Sequence, residues 1–326
     1  MVEVLDQFFS LTPERVLEAV ERAGFVTTGM CYQLNSLENR VFEVELEDGS
    51  RVVSKFYRPS RWGVNEIGDE HRILQALVDH EIPAVAPIRF DDGETLHSTD
   101  DGIYFALFPR VGGRAPDDLG EKELEELGRV LGRMHNIMAS LELPHRPVLS
   151  PDTYGRESLQ TILDRAEMPD GTRERYRDAV EGLVTLSSPL FGERSYPVVH
   201  ADFHRGNILR RPEGWLVLDF DDSAYGPASQ DLWLVLPGRP SECPNELEAF
   251  LRGYELFREF DHGSLRAIEA LRGLRYVRYA AWIARRWEDP SFKRAFPDWG
   301  TERYWEGQVA DLYEQIRLLQ AAPYSL

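Results

Sequence analysis

The chain has 326 residues, of which 42% are hydrophobic and 29% are charged, so it is long enough for two lobes that each bury a core. Its 56 acidic and 37 basic residues give a net charge of −19, which argues against nucleic acid or an anionic membrane as the main partner. Two distant cysteines, Cys31 and Cys243, indicate neither a disulfide framework nor a zinc knuckle. The sequence shows no signal-peptide pattern and no stretch of eighteen apolar residues, so we expect a cytoplasmic protein.

The first third of the chain alternates helical and strand patterns. Thr12 has the properties of an N-cap, and the proline after it is typical of a first helical position. Two alternating runs then meet at Asp48-Gly49, a dipeptide that predicts a β-hairpin. Residues 104–109, "YFALFP", predict a fully apolar strand. Between the hairpin and this strand, apolar residues at helical spacing predict a helix: Ile67, Ile73, Leu74 and Leu77.

From Leu119 onward the pattern is mostly helical, and the region around residues 198–219 is the one β element of that half. The sequence therefore predicts an α+β protein with two lobes. Residues 1–108 form an antiparallel-sheet lobe, and residues 109–326 form a mostly helical lobe that begins near a connector.

Polar residues are concentrated in two neighbouring stretches, "VVHADFHRGNIL" and "WLVLDFDD". Asp202 and Asn207 lie five residues apart, and Asp219 follows twelve residues later. The segment between Ile208 and Leu218 predicts two short strands around a glycine-containing turn. If Ile208 pairs with Leu218, Asn207 lies opposite Asp219, with Cβ atoms about 4.5–5.5 Å apart. An amide oxygen and a carboxylate at that spacing can hold Mg²⁺, and Asp202 can reach a hydroxyl beside the metal.

Two other interpretations of these residues remain open at this point. Each of the three, taken singly, is typical of a turn cap or a strand end. A zinc site made of His200, Asp202 and His204 is a further alternative. Zinc usually recruits additional His or Cys ligands, and the six other histidines offer no HxH or HxxxH pair.

The array resembles the protein-kinase-like active centre, in which an Asp and an Asn five residues apart precede a metal-binding Asp-Phe-Gly element. Here the first triplet is His200-Ala201-Asp202 and the second is Asp219-Phe220-Asp221. These triplets stand in place of the His-Arg-Asp and Asp-Phe-Gly of protein kinases. Both differences are those of the aminoglycoside-phosphotransferase-like branch of the fold. The resemblance implies a bilobal protein-kinase-like fold, with Asp202 and Asp219 as catalytic residues. Asp202 is then the base toward the acceptor hydroxyl, and Asn207 and Asp219 are the Mg²⁺ ligands.

Such a second lobe requires a nucleotide-binding first lobe, with a strand lysine for the phosphates and a helix glutamate that pairs with it. "RVVSKFYRP" places Lys55 in a strand after the predicted hairpin turn. Glu70 lies on the next predicted helix, and Glu66 is the alternative one turn earlier. The sequence therefore predicts ATP binding through Lys55 and one of these two glutamates.

A glycine-rich phosphate loop is absent, because "LNSLENRVFEV" stands where one is expected. Ser36, together with Asn35 and Asn39, can supply hydroxyl, amide and N–H groups to the phosphates. A plain Asn/Ser turn is the equally weighted alternative. The strand at 104–109 is then expected to meet the adenine through its backbone.

A closer resemblance runs along nearly the whole chain. The segments on which this resemblance rests are, in chain order, "LNSLENRVFEV", "VVSKFYRPSRW", "APIRFDDGETL", "FALFPRVGGR", "LGRMH", "HADFHRGNIL", "GPASQDLW" and "RRWEDPSF". Together they resemble the bacterial stress response kinase A family of serine/threonine protein kinases. The resemblance implies Ser36 as the ATP-site serine, Asp202 as the base, and Asn207 and Asp219 as metal ligands. It further implies a monomer that uses ATP and Mg²⁺ on a protein with a Ser/Thr acceptor.

Two other functions remain as alternatives: the same chemistry on an amino sugar or small alcohol, and a nucleotide-binding module without turnover.

Secondary expectations concern three further features. Asp231 either braces the catalytic loop through backbone N–H groups or caps a helix. Asp221 and Asp222 either complete the metal shell or raise the negative potential. The arginines of "LRAIEALRGLRYVRYAAWIARRW" are expected on a solvated face with acidic partners.

Overall fold

A computed structural model describes residues 2–191 and 196–321. The chain forms two compact units, each assembled from three segments. The first unit comprises Met1–Asp118, Val130–Arg146 and Phe203–Ser223. The second comprises Leu119–Arg129, Pro147–Asp202 and Ala224–Leu326. A functional division at residues 108 and 109 stays a prediction.

The first unit contains a five-stranded antiparallel sheet with the strand order β1-β2-β3-β5-β4. Its strands are β1 (Thr27–Leu34), β2 (Arg40–Leu46), β3 (Arg51–Phe56), β4 (His97–Ser98) and β5 (Tyr104–Pro109). The predicted hairpin is confirmed, because Leu46 N–H donates to the Ser50 carbonyl at 2.9 Å and Gly49 has φ of +81°. Only glycine adopts such an angle without strain, which explains the Asp-Gly dipeptide at this turn.

Three helices belong wholly to the first unit: α1 (Val2–Phe9), α2 (Pro13–Arg22) and α3 (Val64–Asp79). Thr12 has the extended backbone of an N-cap before α2, as predicted. The four apolar residues that predicted α3 are all buried. One side of the sheet packs with α1 and α2 around a hydrophobic core whose members include Phe8, Val16, Val20, Phe42, Val44, Phe56, Phe105 and Leu107.

A short hairpin completes the first unit, with strands β7 (Ile208–Arg211) and β8 (Gly214–Val217). The predicted register is wrong by one residue. Ile208 pairs with Val217 rather than Leu218, because the turn contains two residues and Gly214, with φ of +132°, already pairs in the ladder. Leu218 N–H then donates to the Asn207 carbonyl at 2.8 Å, so Asn207 lies opposite Leu218 and beside Asp219 rather than opposite it.

The second unit is mostly helical, as predicted, with one two-stranded pairing of β6 (Val198–Val199) and β9 (Ala224–Tyr225). Helix α4 (Glu121–Met138) begins in this unit, and its residues from 130 onward belong to the first. The other helices are α5 (Glu157–Arg165), α6 (Asp170–Phe191), α7 (Ser229–Trp233), α8 (Pro244–Tyr254), α9 (Ile268–Arg286), α10 (Pro290–Ala295) and α11 (Glu302–Ala321).

Helix α9 lies at the centre of the second unit, where it contacts α5, α6 and α11. These helices enclose buried apolar side chains such as Tyr176, Leu183, Leu274, Trp305 and Leu312. The α+β class predicted from the sequence is therefore confirmed. Over the described ranges, 2–191 and 196–321, no helix has both the length and the apolarity to span a membrane.

Candidate active site

Lys55 lies in the central strand β3, where its backbone pairs with Val41 on one side and Ala106 on the other. Its Nζ is 2.8 Å from Glu70 Oε1 on α3, so the predicted lysine–glutamate pair is formed. Glu66, the alternative, instead accepts a hydrogen bond from Gly63 N–H at 3.0 Å at the start of α3. Burial favours the neutral amine, but Asp221 and Glu70 hold the pKa of Lys55 well above its ordinary value.

Asp221 accepts hydrogen bonds from three side chains of the first unit. Lys55 Nζ lies 2.5 Å from Oδ1, while Asn39 Nδ2 and Arg61 Nη1 lie 2.7 and 3.1 Å from Oδ2. Burial raises the pKa of Asp221, but Lys55 and Arg61 hold it well below its ordinary value. Of the two expectations for this residue, the metal shell is therefore not supported. Asp221 is the ionised partner that holds Lys55 in place.

Asn207 and Asp219, the predicted metal ligands, lie at the open end of the short hairpin. Asp219 has φ of +62° and lies two residues beyond the end of β8 at Val217, so the chain turns away from the strand direction there. Partial desolvation by the surrounding protein atoms and the negative charge of Asp221 raise the pKa of Asp219 to about 6, although Lys55 lowers it. An amide oxygen and a carboxylate, without thiol or imidazole, are ligands that suit Mg²⁺. This donor set fits the predicted metal, which commonly takes few protein ligands and completes its shell with phosphate and water.

The zinc alternative is wrong. His200 Nδ1 accepts the Asp202 N–H at 3.2 Å, and His204 Nδ1 accepts the Gly206 N–H at 2.9 Å, so both imidazoles stabilise the local backbone. In the part of the chain that the structure describes, no three His, Cys, Asp or Glu side chains form a group that could hold a metal ion.

Asp202 belongs to the second unit and follows β6 along the chain. The segment that carries it is fixed by Asp231 of α7, whose two carboxylate oxygens accept the N–H groups of His200 at 2.8 Å and Ala201 at 2.7 Å. Gln230 donates to the Ala201 carbonyl at 2.9 Å. Asp231 therefore braces this segment from within α7. Ala201 itself has φ of +66°, which the surrounding hydrogen bonds maintain.

Asp202 also has a partner that the sequence did not predict. Arg275 Nη2 of α9 lies 2.6 Å from Asp202 Oδ1. The two residues are 73 positions apart, and arginines on a helix are usually solvated, so no local pattern indicated this pair.

Side chains rather than glycines hold the loop that contains Ser36. Arg58 donates from Nε to the Glu38 carbonyl and from Nη2 to the Leu37 carbonyl, each at 2.9 Å. Arg58 N–H also donates to Asn39 Oδ1 at 3.2 Å, and Asn39 N–H approaches Ser36 Oγ at 3.3 Å. The loop is thereby preformed. The contribution of Ser36 to ATP binding and that of strand β5 to adenine binding stay predictions.

Three arginines of this site were missed by sequence reasoning. Besides Arg58, Arg61 binds Asp222 at 2.8 Å as well as Asp221. Buried Arg146 donates to the carbonyls of Asp221 at 2.5 Å and Ser223 at 2.7 Å. The two arginines of "YRPSRW" were a visible signal, because they follow the lysine strand directly. Arg146 offered no such signal, since it lies 75 residues before the carbonyl that it binds.

The chain belongs to the phosphotransferase enzyme family, whose family model matches residues 33–268. It is therefore an enzyme of the kinase type.

Its nearly full-length relatives identify the group within that family. Stress response kinase A of Escherichia coli (strain K12) is 39% identical over 321 residues, which cover 98% of this chain and 97% of that protein. The protein named serine/threonine protein kinase RdoA of Salmonella typhimurium (strain LT2) is 38% identical over 320 residues, with the same coverage of both chains. The chain is thus a homologue of stress response kinase A.

Solved structures share the fold at lower identity. The amicoumacin kinase hAmiN, in complex with AMP-PNP, Ca²⁺ and Ami, has a TM-score of 0.72 and 20% identity over 94% of this chain and 93% of that one. A microcompartment-associated aminopropanol kinase has a TM-score of 0.67 and 19% identity over 94% and 96%. At these identities the likeness shows the fold alone.

Proposed function

We propose that the protein is an ATP- and Mg²⁺-dependent serine/threonine protein kinase that acts as a monomer in a bacterial stress response in the cytoplasm. The observation that carries the kinase chemistry is the contact of Lys55 with Glu70 and Asp221, 4.0 Å from Asp219. This constellation fixes a point charge for nucleotide phosphates beside a carboxylate suited to a metal. The protein acceptor is supported by relatives named as stress response and serine/threonine kinases.

In the proposed reaction, Asp202 accepts the proton of an acceptor serine or threonine hydroxyl. The hydroxyl oxygen forms a bond to the γ-phosphorus of ATP, the bond from that phosphorus to the bridging oxygen of ADP breaks, and ADP leaves. Asp202 then releases the proton to solvent. Lys55 binds the phosphates, and Ser36 donates to them from its loop. Asn207 and Asp219 hold Mg²⁺, which when bound neutralises charge on the phosphate oxygens.

Preorganisation supports these roles. Glu70 and Asp221 hold the ammonium of Lys55 from two directions, so little side-chain entropy is lost when phosphate arrives. Asp231 fixes the backbone on the N-terminal side of Asp202, so the position of the base does not depend on the substrate.

A second candidate is the same phosphoryl transfer to a small alcohol or amino sugar. Its support is the fold shared with enzymes named as amicoumacin and aminopropanol kinases. A nucleotide-binding module without turnover is disfavoured, because Lys55, Asp202, Asn207 and Asp219 are all present.

Radiolabelled ATP separates the three functions. The purified protein is incubated with γ-labelled ATP, Mg²⁺, one acidic and one basic test protein, and a pool of amino sugars and amino alcohols. Label on a protein supports the proposal. Label on small molecules alone establishes the second candidate, and nucleotide binding without label on any acceptor establishes the third. The Asp219→Ala variant is the control, since loss of a metal ligand is expected to abolish transfer by the wild-type route.

A further inference from the structure

Helix α9 carries arginines along one side. Arg275, Arg278 and Arg285 follow one another at spacings that keep them on the same side of the helix. Arg165, at the end of α5, contributes to the positive charge around Arg285. We refer to these four residues as the α9 arginine face. The sequence predicted a solvated stripe on α9 with acidic partners. Arg275 does pair with an acidic residue, Asp202, whereas Arg278 and Arg285 form no ion pair within 4.0 Å in the described residues.

Arg275 contacts the proposed base directly, through Nη2 at 2.6 Å from Asp202 Oδ1. A guanidinium has five N–H donors in a rigid plane, so it orients the carboxylate that it binds. Whatever group presents a hydroxyl to Asp202 therefore meets a positively charged side chain beside that hydroxyl.

The other three arginines form no close ion pair in the described residues. Within residues 2–191 and 196–321, no carboxylate lies within 4.0 Å of the guanidinium of Arg165, Arg278 or Arg285. Arg278 stacks over the Tyr154 ring at 5.0 Å, and Arg285 donates to Thr161 Oγ1 at 2.9 Å. These contacts position the guanidinium groups without neutralising them.

The electrostatic cost of this cluster is visible at Arg285. Burial, followed by the positive charges of Arg278, Arg286 and Arg165, lowers the pKa of Arg285 to about 10, although the negative charge of Glu157 raises it. The chain as a whole carries a net charge of −19, so carboxylates are abundant, yet in the described chain no ion pair within 4.0 Å joins a carboxylate to Arg165, Arg278 or Arg285. An anion that binds there would relieve the mutual repulsion, as charge complementarity does at other recognition surfaces.

We propose that the α9 arginine face recognises an acidic protein segment that carries the acceptor serine or threonine. The inference rests on the proposed function, because it places the acceptor hydroxyl at Asp202. Helical rise puts Arg285 about 15 Å along the axis from Arg275, the length of about four or five extended residues. We therefore expect Asp or Glu within about five positions of the acceptor.

An exposed aromatic side chain one turn after Arg275 on α9 fits a peptide partner. Tyr279 is 47% exposed and stacks on Trp282, with ring centroids 5.4 Å apart and an interplanar angle of 25°. A rigid aromatic beside arginines is typical of protein recognition surfaces. A cationic acceptor such as an amino sugar is repelled by the same surface, so the inference also separates the two candidate acceptor classes.

Serine peptides of matched length test the preference. One set carries aspartates within five positions on either side of the serine, one carries asparagines and one carries lysines. We expect kcat/KM for the acidic set to exceed that for the neutral set by about tenfold, since each charged contact contributes on that scale. In the Arg278→Gln/Arg285→Gln variant the ratio falls to about twofold. The matched control, Arg303→Gln/Arg317→Gln on α11, removes the same charge and keeps the wild-type ratio.

Peptide binding separates failure of this inference from failure of the proposed function. Fluorescence anisotropy measures binding of the labelled acidic and neutral peptides without turnover. We expect selective binding of the acidic peptide that is lost in the α9 variant and kept in the α11 control. This result supports recognition of an acidic segment by the α9 arginine face even when no peptide is phosphorylated. Equal binding of both peptides, or a preference that the α9 variant retains, overturns the inference whatever the kinase activity.

Arg275 requires its own test as a positioning residue. We expect Arg275→Gln to lower kcat by about tenfold while KM for ATP stays unchanged, because the orientation of Asp202 is lost and the nucleotide contacts are not. Arg275→Lys restores part of kcat through its positive charge. A rise in KM for ATP that matches the fall in kcat, without rescue by lysine, would indicate a structural role instead.

Discussion

The two acidic residues of "DFD" have different tasks, although the sequence alone does not distinguish them. Asp221 is buried and saturated by Lys55, Asn39 and Arg61. Asp219, the predicted metal ligand, adopts the left-handed conformation and keeps 53% of its side-chain surface exposed. The residue that holds Lys55 is therefore the second aspartate, whereas the first lies 4.0 Å from Lys55.

A comparison of Asp221 with its neighbour tests this assignment. We expect Asp221→Asn to raise KM for ATP by about tenfold or more, because Lys55 loses an ionised partner and the Asn39 contact weakens. Asp222→Asn is the matched control, since the Asp222 side chain is 42% exposed and pairs with Arg61 at 2.8 Å without contacting Lys55. Steady-state kinetics with ATP varied measure both. Equal effects of the two changes would contradict the assignment.

His71 supplies a pH-dependent contribution to stability. Its Nε2 meets the Tyr57 hydroxyl at 2.9 Å and its Nδ1 meets Thr95 Oγ1 at 2.8 Å. Burial, followed by the positive charge of Lys55, lowers the pKa of His71 from 6.5 to about 3. A lowered pKa means that the unfolded chain binds the proton first. The stabilisation is complete above pH 6.5 and is lost as the pH falls toward 3.

We therefore predict that His71→Gln flattens the acid side of the stability profile. The free energy of unfolding of the wild type is expected to fall more steeply between pH 6.5 and 4.5, by up to about 1.4 kcal/mol for each pH unit. Urea unfolding at a series of pH values measures both proteins. The variant is expected to have a lower free energy of unfolding at every pH because the contacts of His71 are lost. The two proteins are therefore compared by the slope of the free energy of unfolding against pH. Parallel profiles would show that His71 does not titrate as described.

At the scale of elements, two glycines permit helices α4 and α8 to approach closely within the second unit. A Cβ on Gly128 would lie 2.1 Å from the Phe250 carbonyl oxygen, and a Cβ on Gly253 would lie 2.0 Å from the Glu125 carbonyl oxygen. Backbone atoms of a packed helix cannot move aside as a flexible side chain can. These glycines are therefore required for the contact between the helices, despite their low helix propensity.

We expect Gly253→Ala to lower the free energy of unfolding by about 3 kcal/mol, in the range measured for overpacked cores. Gly307→Ala on α11 is the control, because nothing lies within 4 Å of its added Cβ. That change is expected to raise stability by up to about 1 kcal/mol through helix propensity. Chemical denaturation compares the two variants with the wild type. A Gly253→Ala protein as stable as the wild type would contradict the close approach.

Sequence periodicity predicted elements better than it predicted contacts. The apolar spacing of α3 and the Asp-Gly turn each specify a local conformation, and both are confirmed. The register of β7 and β8 was wrong by one residue because a two-residue and a three-residue turn both accommodate "PEG". Such a slip moves every side chain of a strand to the other face, so small errors in turn length alter a predicted site.

Long-range polar contacts were beyond sequence reasoning for a different reason. Arg146 and Arg275 bind groups 75 and 73 residues away, and an arginine on a helix or loop is solvated in most proteins. The Lys55–Glu70 pair could be predicted from the sequence, because both residues lie in elements with clear patterns, a strand followed by a helix. What the sequence predicted of the site was thus its residue types and order, whereas the arginines that organise it required the structure.

At the scale of the whole molecule, the segment after Asp221 bears on regulation. In regulated protein kinases a phosphorylatable loop follows the Asp-Phe-Gly element and is ordered by its phosphate. Here Ser223 is buried and its hydroxyl donates to the Phe220 carbonyl at 2.8 Å. In the second unit, Tyr225 is paired in β9 with Val198, and Ser229 is buried at the start of α7. These contacts tie the three hydroxyl-bearing residues into the fold.

We therefore predict that the unmodified protein is active and that this segment is not its switch. Protein made in cells without other kinases and treated with phosphatase is expected to keep full activity. The Ser223→Ala, Tyr225→Phe, Ser229→Ala triple variant is the companion measurement, with circular dichroism to check its folding. Loss of activity on phosphatase treatment, reproduced by a folded triple variant, would contradict the prediction.

The most direct test of the central claim, phosphoryl transfer from ATP with Asp202 as the base, is a paired measurement on Asp202→Asn. Binding of ATP and Mg²⁺ by calorimetry and transfer of labelled phosphate to a protein are measured on the same preparation. We predict nucleotide affinity within about threefold of the wild type and transfer lower by at least about 100-fold, since a proton acceptor is lost and the phosphate contacts are not. Transfer at the wild-type rate, or a loss of nucleotide affinity that matches the loss of transfer, would contradict the claim.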